Sequence, residues 1–83
     1  MQLLYFAWVR ETIGMAEETV EPPGAVRTVA DLVEWLRGQS TAHDRAFSDM
    51  TRLRAAVDQK FVPLDHELGA VREVAIFPPV TGG

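Results

Sequence analysis

Only one stretch of this chain carries a clear helical period, and it restricts the fold to one main helix served by strands. Thr28 stands three residues before Asp31, the spacing of a reciprocal N-terminal cap, and Val29, Leu32, Val33 and Leu36 follow on one apolar stripe. Gly38 marks the expected end of that helix, and Trp35, at the edge of the stripe, is expected to cover the rim of the core. The other apolar segments are short and rich in β-formers. Gln2 to Val9 alternates Leu3, Tyr5, Ala7 and Val9 with Gln2, Leu4, Phe6 and Trp8, which predicts a strand with one face on the core. The second face, carrying Leu4, Phe6 and Trp8, would then be a partner surface. Arg10 to Met15 is read as a connection and Glu17 to Glu21 as a second strand, ended by Pro22-Pro23-Gly24. Thr41 to Met50 is compatible with a short helical turn or with a loop. Leu53 to Val57 and Phe61 to Leu64 read as strands around Asp58-Gln59-Lys60, and Glu73 to Phe77 as the last strand. The order predicts an α+β domain in which one helix lies across a mixed sheet of four to five strands. With 83 residues, 47% of them hydrophobic, one small core is all the chain can build. The domain is expected over residues 1–77, with 78–83 as an appended segment.

Composition removes several classes of function. There is no cysteine, hence neither a disulfide framework nor thiol catalysis, and a reducing compartment fits. A formal charge of −4 disfavours nucleic-acid binding, and Arg45, Arg52 and Arg54, without interleaved aromatics, read as a solvated face. Met1 to Val9 lacks a secretory pattern and no apolar run is long enough for a bilayer, so a soluble cytoplasmic protein away from membranes is expected. The two histidines, His43 and His66, each adjoin an aspartate (Asp44, Asp65), but neighbouring side chains diverge. Neither a relay nor a metal site is expected, and both imidazoles are read as solvent-facing loop residues. No phosphate-cradling glycine loop is present, and no bound cofactor is expected.

What remains is the end of the chain, Phe77-Pro78-Pro79-Val80-Thr81-Gly82-Gly83. Pro78 and Pro79 fix φ, remove two donors and favour an extended path, and paired glycines make the thinnest thread for a narrow cleft. At ~3.1 to 3.3 Å per residue, Pro78 to Gly83 is expected to reach on the order of 18 to 20 Å, deep enough for another protein's active site. Read as the C-terminus, Gly83 supplies an α-carboxylate, ionised at neutral pH and inert as an electrophile. An ATP-using partner would have to convert it to an acyl-adenylate first, after which the acyl group can pass to an amine or to sulfur.

The residues that carry a family likeness run nearly end to end: Phe6-Ala7-Trp8-Val9-Arg10-Glu11, Thr28-Val29-Ala30-Asp31-Leu32, Ala55-Ala56-Val57-Asp58-Gln59, and Glu73-Val74-Ala75-Ile76-Phe77 with the tail that follows it. In these the chain resembles the small subunits of molybdopterin synthase, a family of ubiquitin-like sulfur carriers. A related carrier of the thiamine pathway also ends in two glycines but typically lacks the Phe-Pro-Pro-Val approach. The resemblance implies a β-grasp fold and a cycle in which a ubiquitin-activating-like adenylyltransferase uses ATP on Gly83 and a sulfur donor protein yields its thiocarboxylate. The tail would then enter the large subunit, within a heterotetramer, and give its sulfur to cyclic pyranopterin monophosphate. It also implies that Phe6, Phe61 and Phe77 meet both partners, with Arg10 near the same surface. Gly69-Ala70-Val71-Arg72 departs from the acidic-glycine turn usual before the last strand. Service to thiamine or amino-acid biosynthesis, or a ubiquitin-like interaction or modifier module, are the alternatives.

Overall fold

Helix α2 (Val29–Arg37) begins as the sequence predicts: the Thr28 hydroxyl accepts from the Asp31 backbone N–H at 3.1 Å, and the Asp31 carboxylate accepts in return from Thr28 N–H at 3.2 Å. A third bond, from Arg27 N–H at 3.1 Å, reaches the same carboxylate oxygen. These two backbone donors, Arg27 first, hold the Asp31 carboxyl below the usual carboxylate range. Val29, Leu32, Val33 and Leu36 are all fully buried. The protein is seen here as a computed structural model that describes residues 1–79; Val80, Thr81, Gly82 and Gly83, on which the tail expectation rests, lie outside the described residues.

The apolar side of α2 enters one core with the inner faces of a five-stranded sheet. The strands are β1 (Gln2–Tyr5), β2 (Glu17–Thr19), β3 (Arg54–Val57), β4 (Lys60–Val62) and β5 (Glu73–Phe77), in the spatial order β2-β1-β5-β3-β4. The central pair β1 and β5 is parallel, with Leu3 beside Val74 and Tyr5 beside Ile76, while every other pairing is antiparallel. Leu3, Tyr5, Ala55, Val57, Val74 and Ile76 point to the helix side and are buried. This is the mixed sheet with one main helix across it that defines the β-grasp architecture. The turn between β3 and β4 places Asp58 (φ 47) and Gln59 (φ 71) in the left-handed region, the geometry of a two-residue hairpin whose twist matches the strands. The Asp58 carboxylate then accepts from Arg72 and Glu73 N–H at 3.1 and 3.0 Å, fixing where β5 starts.

Two expectations are corrected, and one left open is resolved. Gln2 to Val9 is not one strand: β1 ends at Tyr5, and Ala7–Ile13 forms a helix, α1, where a connection was expected from Arg10. Val9 and Ile13, one helical turn apart, bury against the core, and Gly14 at φ 91 closes the helix with a left-handed cap that its N–H completes on the Arg10 carbonyl. Tertiary burial of that pair outweighs the local β-preference of the Phe6-Ala7-Trp8-Val9 run. Leu4, Phe6 and Trp8 therefore do not share one strand face. Of the two readings open for Thr41 to Met50 the helical one holds: Thr41–Ala46 is a helix, α3, capped by Ser40, and Met50–Arg52 is a 3-10 turn.

The second correction concerns His43, which is buried rather than solvent-facing. Its Nδ1 lies 2.7 Å from the Ser40 hydroxyl and its Nε2 2.7 Å from Glu18 Oε2, which also accepts the Tyr5 hydroxyl at 2.7 Å. With Nε2 donating to Glu18 and the serine hydroxyl donating to Nδ1, every group is satisfied. Edge strand β2 is thereby tied to α3 and to the core. Burial, followed by the Glu18 contact, pushes the Tyr5 hydroxyl far above its usual pKa. His66 is exposed, as expected.

Candidate functional site

Because β1 and β5 run parallel in register, they end side by side: Tyr5 pairs with Ile76, and Phe6 donates its N–H to the Ile76 carbonyl at 3.4 Å. β3 is antiparallel to β5 and starts at this end, with Arg54 opposite Phe77. The C-terminal segment thus leaves from the middle of the sheet, between the residues after β1 and those before β3. On the sheet face turned away from α2, the cross-strand row Leu4, Ala75, Ala56, Phe61 follows directly from the register. Small side chains at Ala75 and Ala56 leave this row shallow beneath the aromatic rings.

The rings of Phe61 and Phe77 stand 5.7 Å apart at 59°, the tilted arrangement aromatic pairs favour. Together with Phe6 and Ala7 on one side and Pro78 and Pro79 beyond, they line a groove of about 640 Å³ floored by Ala56 and Ala75. Phe61 is 82% exposed and Phe6 47%; among the described residues Met15, at 40%, is the one other exposed large hydrophobic side chain. Exposed aromatic clusters of this kind are enriched where proteins meet partners. The diproline is half-buried against the domain, so the segment expected to stand off from residue 78 is seated on the protein through Pro79.

The sequence-predicted site residues divide as follows. Phe6, Phe61, Phe77, Pro78 and Pro79 come together. Leu4 lies on the same sheet face, half-buried beside Ala75. Trp8, placed on α1, instead packs partly on the core and lines a separate cleft with Thr51, Arg52 and the two prolines. Arg10 is exposed on α1 and lines neither. The expectations for Val80, Thr81, Gly82 and Gly83 lie outside the described residues. Arg52, expected with Arg45 and Arg54 on a solvated face, is exposed as expected, but its guanidinium sits 5.0 Å over the Trp8 ring, an aromatic partner forty-odd residues away that the local sequence does not show. Among the described residues no group of three His, Cys, Asp or Glu side chains is placed to hold a metal ion, and no helix is long and apolar enough to cross a membrane. The site offers apolar contact and an outgoing chain, with no nucleophile or acid–base pair in the groove.

Residues 3–83 match the ThiS family. Over 83 residues the chain is 41% identical to the molybdopterin synthase sulfur carrier subunit of Escherichia coli (strain K12), spanning all of this chain and 99% of that one. It is 31% identical to the protein of the same description from Mycosarcoma maydis, across all of this chain and 92% of the relative. Among solved structures, the H. volcanii small archaeal modifier protein 1 superposes with a TM-score of 0.74 at 28% identity, covering 96% of this chain and 97% of that one.

Proposed function

This chain belongs to the ThiS family, and on that premise we propose that it is the sulfur carrier subunit of a molybdopterin synthase, with Gly83 as the carrying residue. The observation that carries the proposal is the aromatic groove of Phe6, Phe61 and Phe77 at the root of the diproline, which couples a docking surface to the chain's exit. Nothing in the groove performs chemistry, which suits a co-substrate whose reactive group lies farther along the chain.

The chemistry proceeds in four steps. In the active site of a ubiquitin-activating-like adenylyltransferase, an oxygen of the Gly83 carboxylate attacks the α-phosphorus of ATP, pyrophosphate leaves, and an acyl-adenylate forms. Hydrosulfide, freed from a donor protein's persulfide by thiols that are oxidised to a disulfide, attacks the acyl carbon and displaces AMP, leaving the thiocarboxylate. After docking to the large subunit, that sulfur attacks an oxygen-bearing carbon of cyclic pyranopterin monophosphate, so that a carbon–sulfur bond replaces the carbon–oxygen bond and the oxygen leaves with the bonding pair. Water then cleaves the resulting acyl–sulfur bond, leaving sulfur on the product and restoring the carboxylate. Glycine serves each step because an unhindered acyl carbon is approachable inside a closed site. Two small and two large subunits make up the proposed assembly, working in the cytoplasm.

Co-expression with the large subunit of the same organism, followed by an assay of precursor conversion, tests this reading. A stable complex that converts the precursor only when the carrier is sulfur-loaded is expected; a loaded carrier that forms no complex with the large subunit counts against it. The likeness to an archaeal modifier protein supports a second reading, transfer of the acyl group to lysine, which would appear as isopeptide conjugates.

A further inference from the structure

The diproline has two walls, of which the aromatic groove is one. Pro78 and Pro79 also line a second cleft, of about 410 Å³, with Trp8, Thr51 and Arg52, and the Arg52 guanidinium lies 5.0 Å over the Trp8 ring. Both parts of this second wall are held from beneath. Trp8 follows Ala7, a non-glycine residue at φ 53, a backbone state that persists only where the surroundings over-determine it. That left-handed residue stands between Phe6, which lines the groove, and Trp8, which lines the cleft. Arg52 ends the 3-10 turn, whose start is fixed by the Asp49 carboxylate accepting from the Thr51 N–H at 3.0 Å and also from its hydroxyl, while Leu53 N–H returns to the Met50 carbonyl at 3.1 Å.

We propose that Trp8 and Arg52 are a positioning pair for the outgoing chain: the guanidinium over the indole braces Pro78-Pro79 across this second cleft and sets the direction in which the chain leaves Pro79. This rests on the sulfur-carrier reading and adds a division of labour to it. Docking strength resides in the groove, and aim resides in the brace. Four residues span at most ~13 Å, so a tilt of about 10° at Pro79 moves the far end by about 2 Å. A displacement of that order takes a reacting carbon out of attack geometry and slows the step without weakening the docked complex.

The test uses the full chain and its adenylyltransferase, with acyl-adenylate formation measured against carrier concentration for Arg52→Ala, Arg52→Lys, Trp8→Leu, Trp8→Phe and Phe61→Ala. Arg52→Ala and Trp8→Leu are expected to lower kcat roughly tenfold with KM unchanged. Trp8→Phe, which keeps a ring under the cation, retains most of the rate, whereas Arg52→Lys, which keeps the charge but loses the planar guanidinium, recovers only part of it. Phe61→Ala raises KM instead. A second readout needs no activity: the Pro78 and Pro79 proton resonances carry ring-current shifts that change on Trp8→Leu and move in the same sense on Arg52→Ala. A rise in KM at constant kcat for Arg52→Ala, or proline resonances indifferent to both substitutions, overturns the proposal. Failure of the parent chain to be adenylated while the proline shifts respond as expected refutes the carrier reading and leaves the brace standing.

Discussion

Replacing Phe61 with alanine separates the docking surface from the fold. Burying a whole phenylalanine side chain is worth about 1.5–3 kcal/mol. Phe61 is 82% exposed, so only about 0.3–0.5 kcal/mol of that total is realised within the domain, and about 1.2–2.5 kcal/mol is available to a partner that covers the ring. Since each 1.4 kcal/mol is a factor of ten, Phe61→Ala should weaken binding to the large subunit by about 8- to 60-fold. Unfolding in urea should change by no more than about 0.5 kcal/mol. Calorimetric titration of parent and variant, beside denaturation curves, reads both quantities. Unchanged affinity would refute the assignment of this face, and a large loss of stability would show that the ring serves the fold.

The cap and the buried cluster give further expectations. Thr28→Ala removes the hydroxyl that accepts from Asp31 N–H and should cost ~1 kcal/mol in chemical denaturation. Asp31 has a folded-state pKa below its unfolded value, so its contribution is complete above the ordinary carboxylate pKa and is lost as pH falls through the lowered one. Asp31→Asn should therefore flatten the acid limb of the stability curve. Tyr5 is the one tyrosine, and its folded-state pKa is raised; phenolate absorbance should stay absent from the native protein above the usual tyrosine pKa, and stability should fall as pH rises past that value. Glu18→Leu strands both His43 Nε2 and the Tyr5 hydroxyl and should cost about 1–3 kcal/mol for each buried donor left unpaired, read by thermal unfolding.

The parts of the fold legible in the sequence are those specified by near neighbours. The Thr28–Asp31 cap and the stripe from Val29 to Leu36 need only residues within three turns, and Glu73–Phe77 is β-forming throughout. Helix α1 was hidden because Leu3, Tyr5, Ala7 and Val9 continue an alternation past the point where the chain turns at Ala7. The discoverable sign was Val9 and Ile13 at i, i+4 followed by Gly14, a stripe and stop too short to outweigh the strand pattern on its own. His43 was misread for a different reason. Its partner Glu18 is 25 residues away, and only the Ser40 cap three residues before it is local. The same limit applies to the site: Phe77 and the diproline were evident, but their grouping with Phe6 and Phe61 follows from the β1–β5 and β3–β4 registers.

Intact mass of the carrier, purified after incubation with adenylyltransferase, ATP and a sulfur source, bears on the central claim most directly. The account predicts a species in which one oxygen of Gly83 is replaced by sulfur, absent without ATP and absent from a variant extended by one alanine beyond Gly83. An unmodified carboxylate under the complete conditions, or sulfur incorporation into the extended variant, would contradict it.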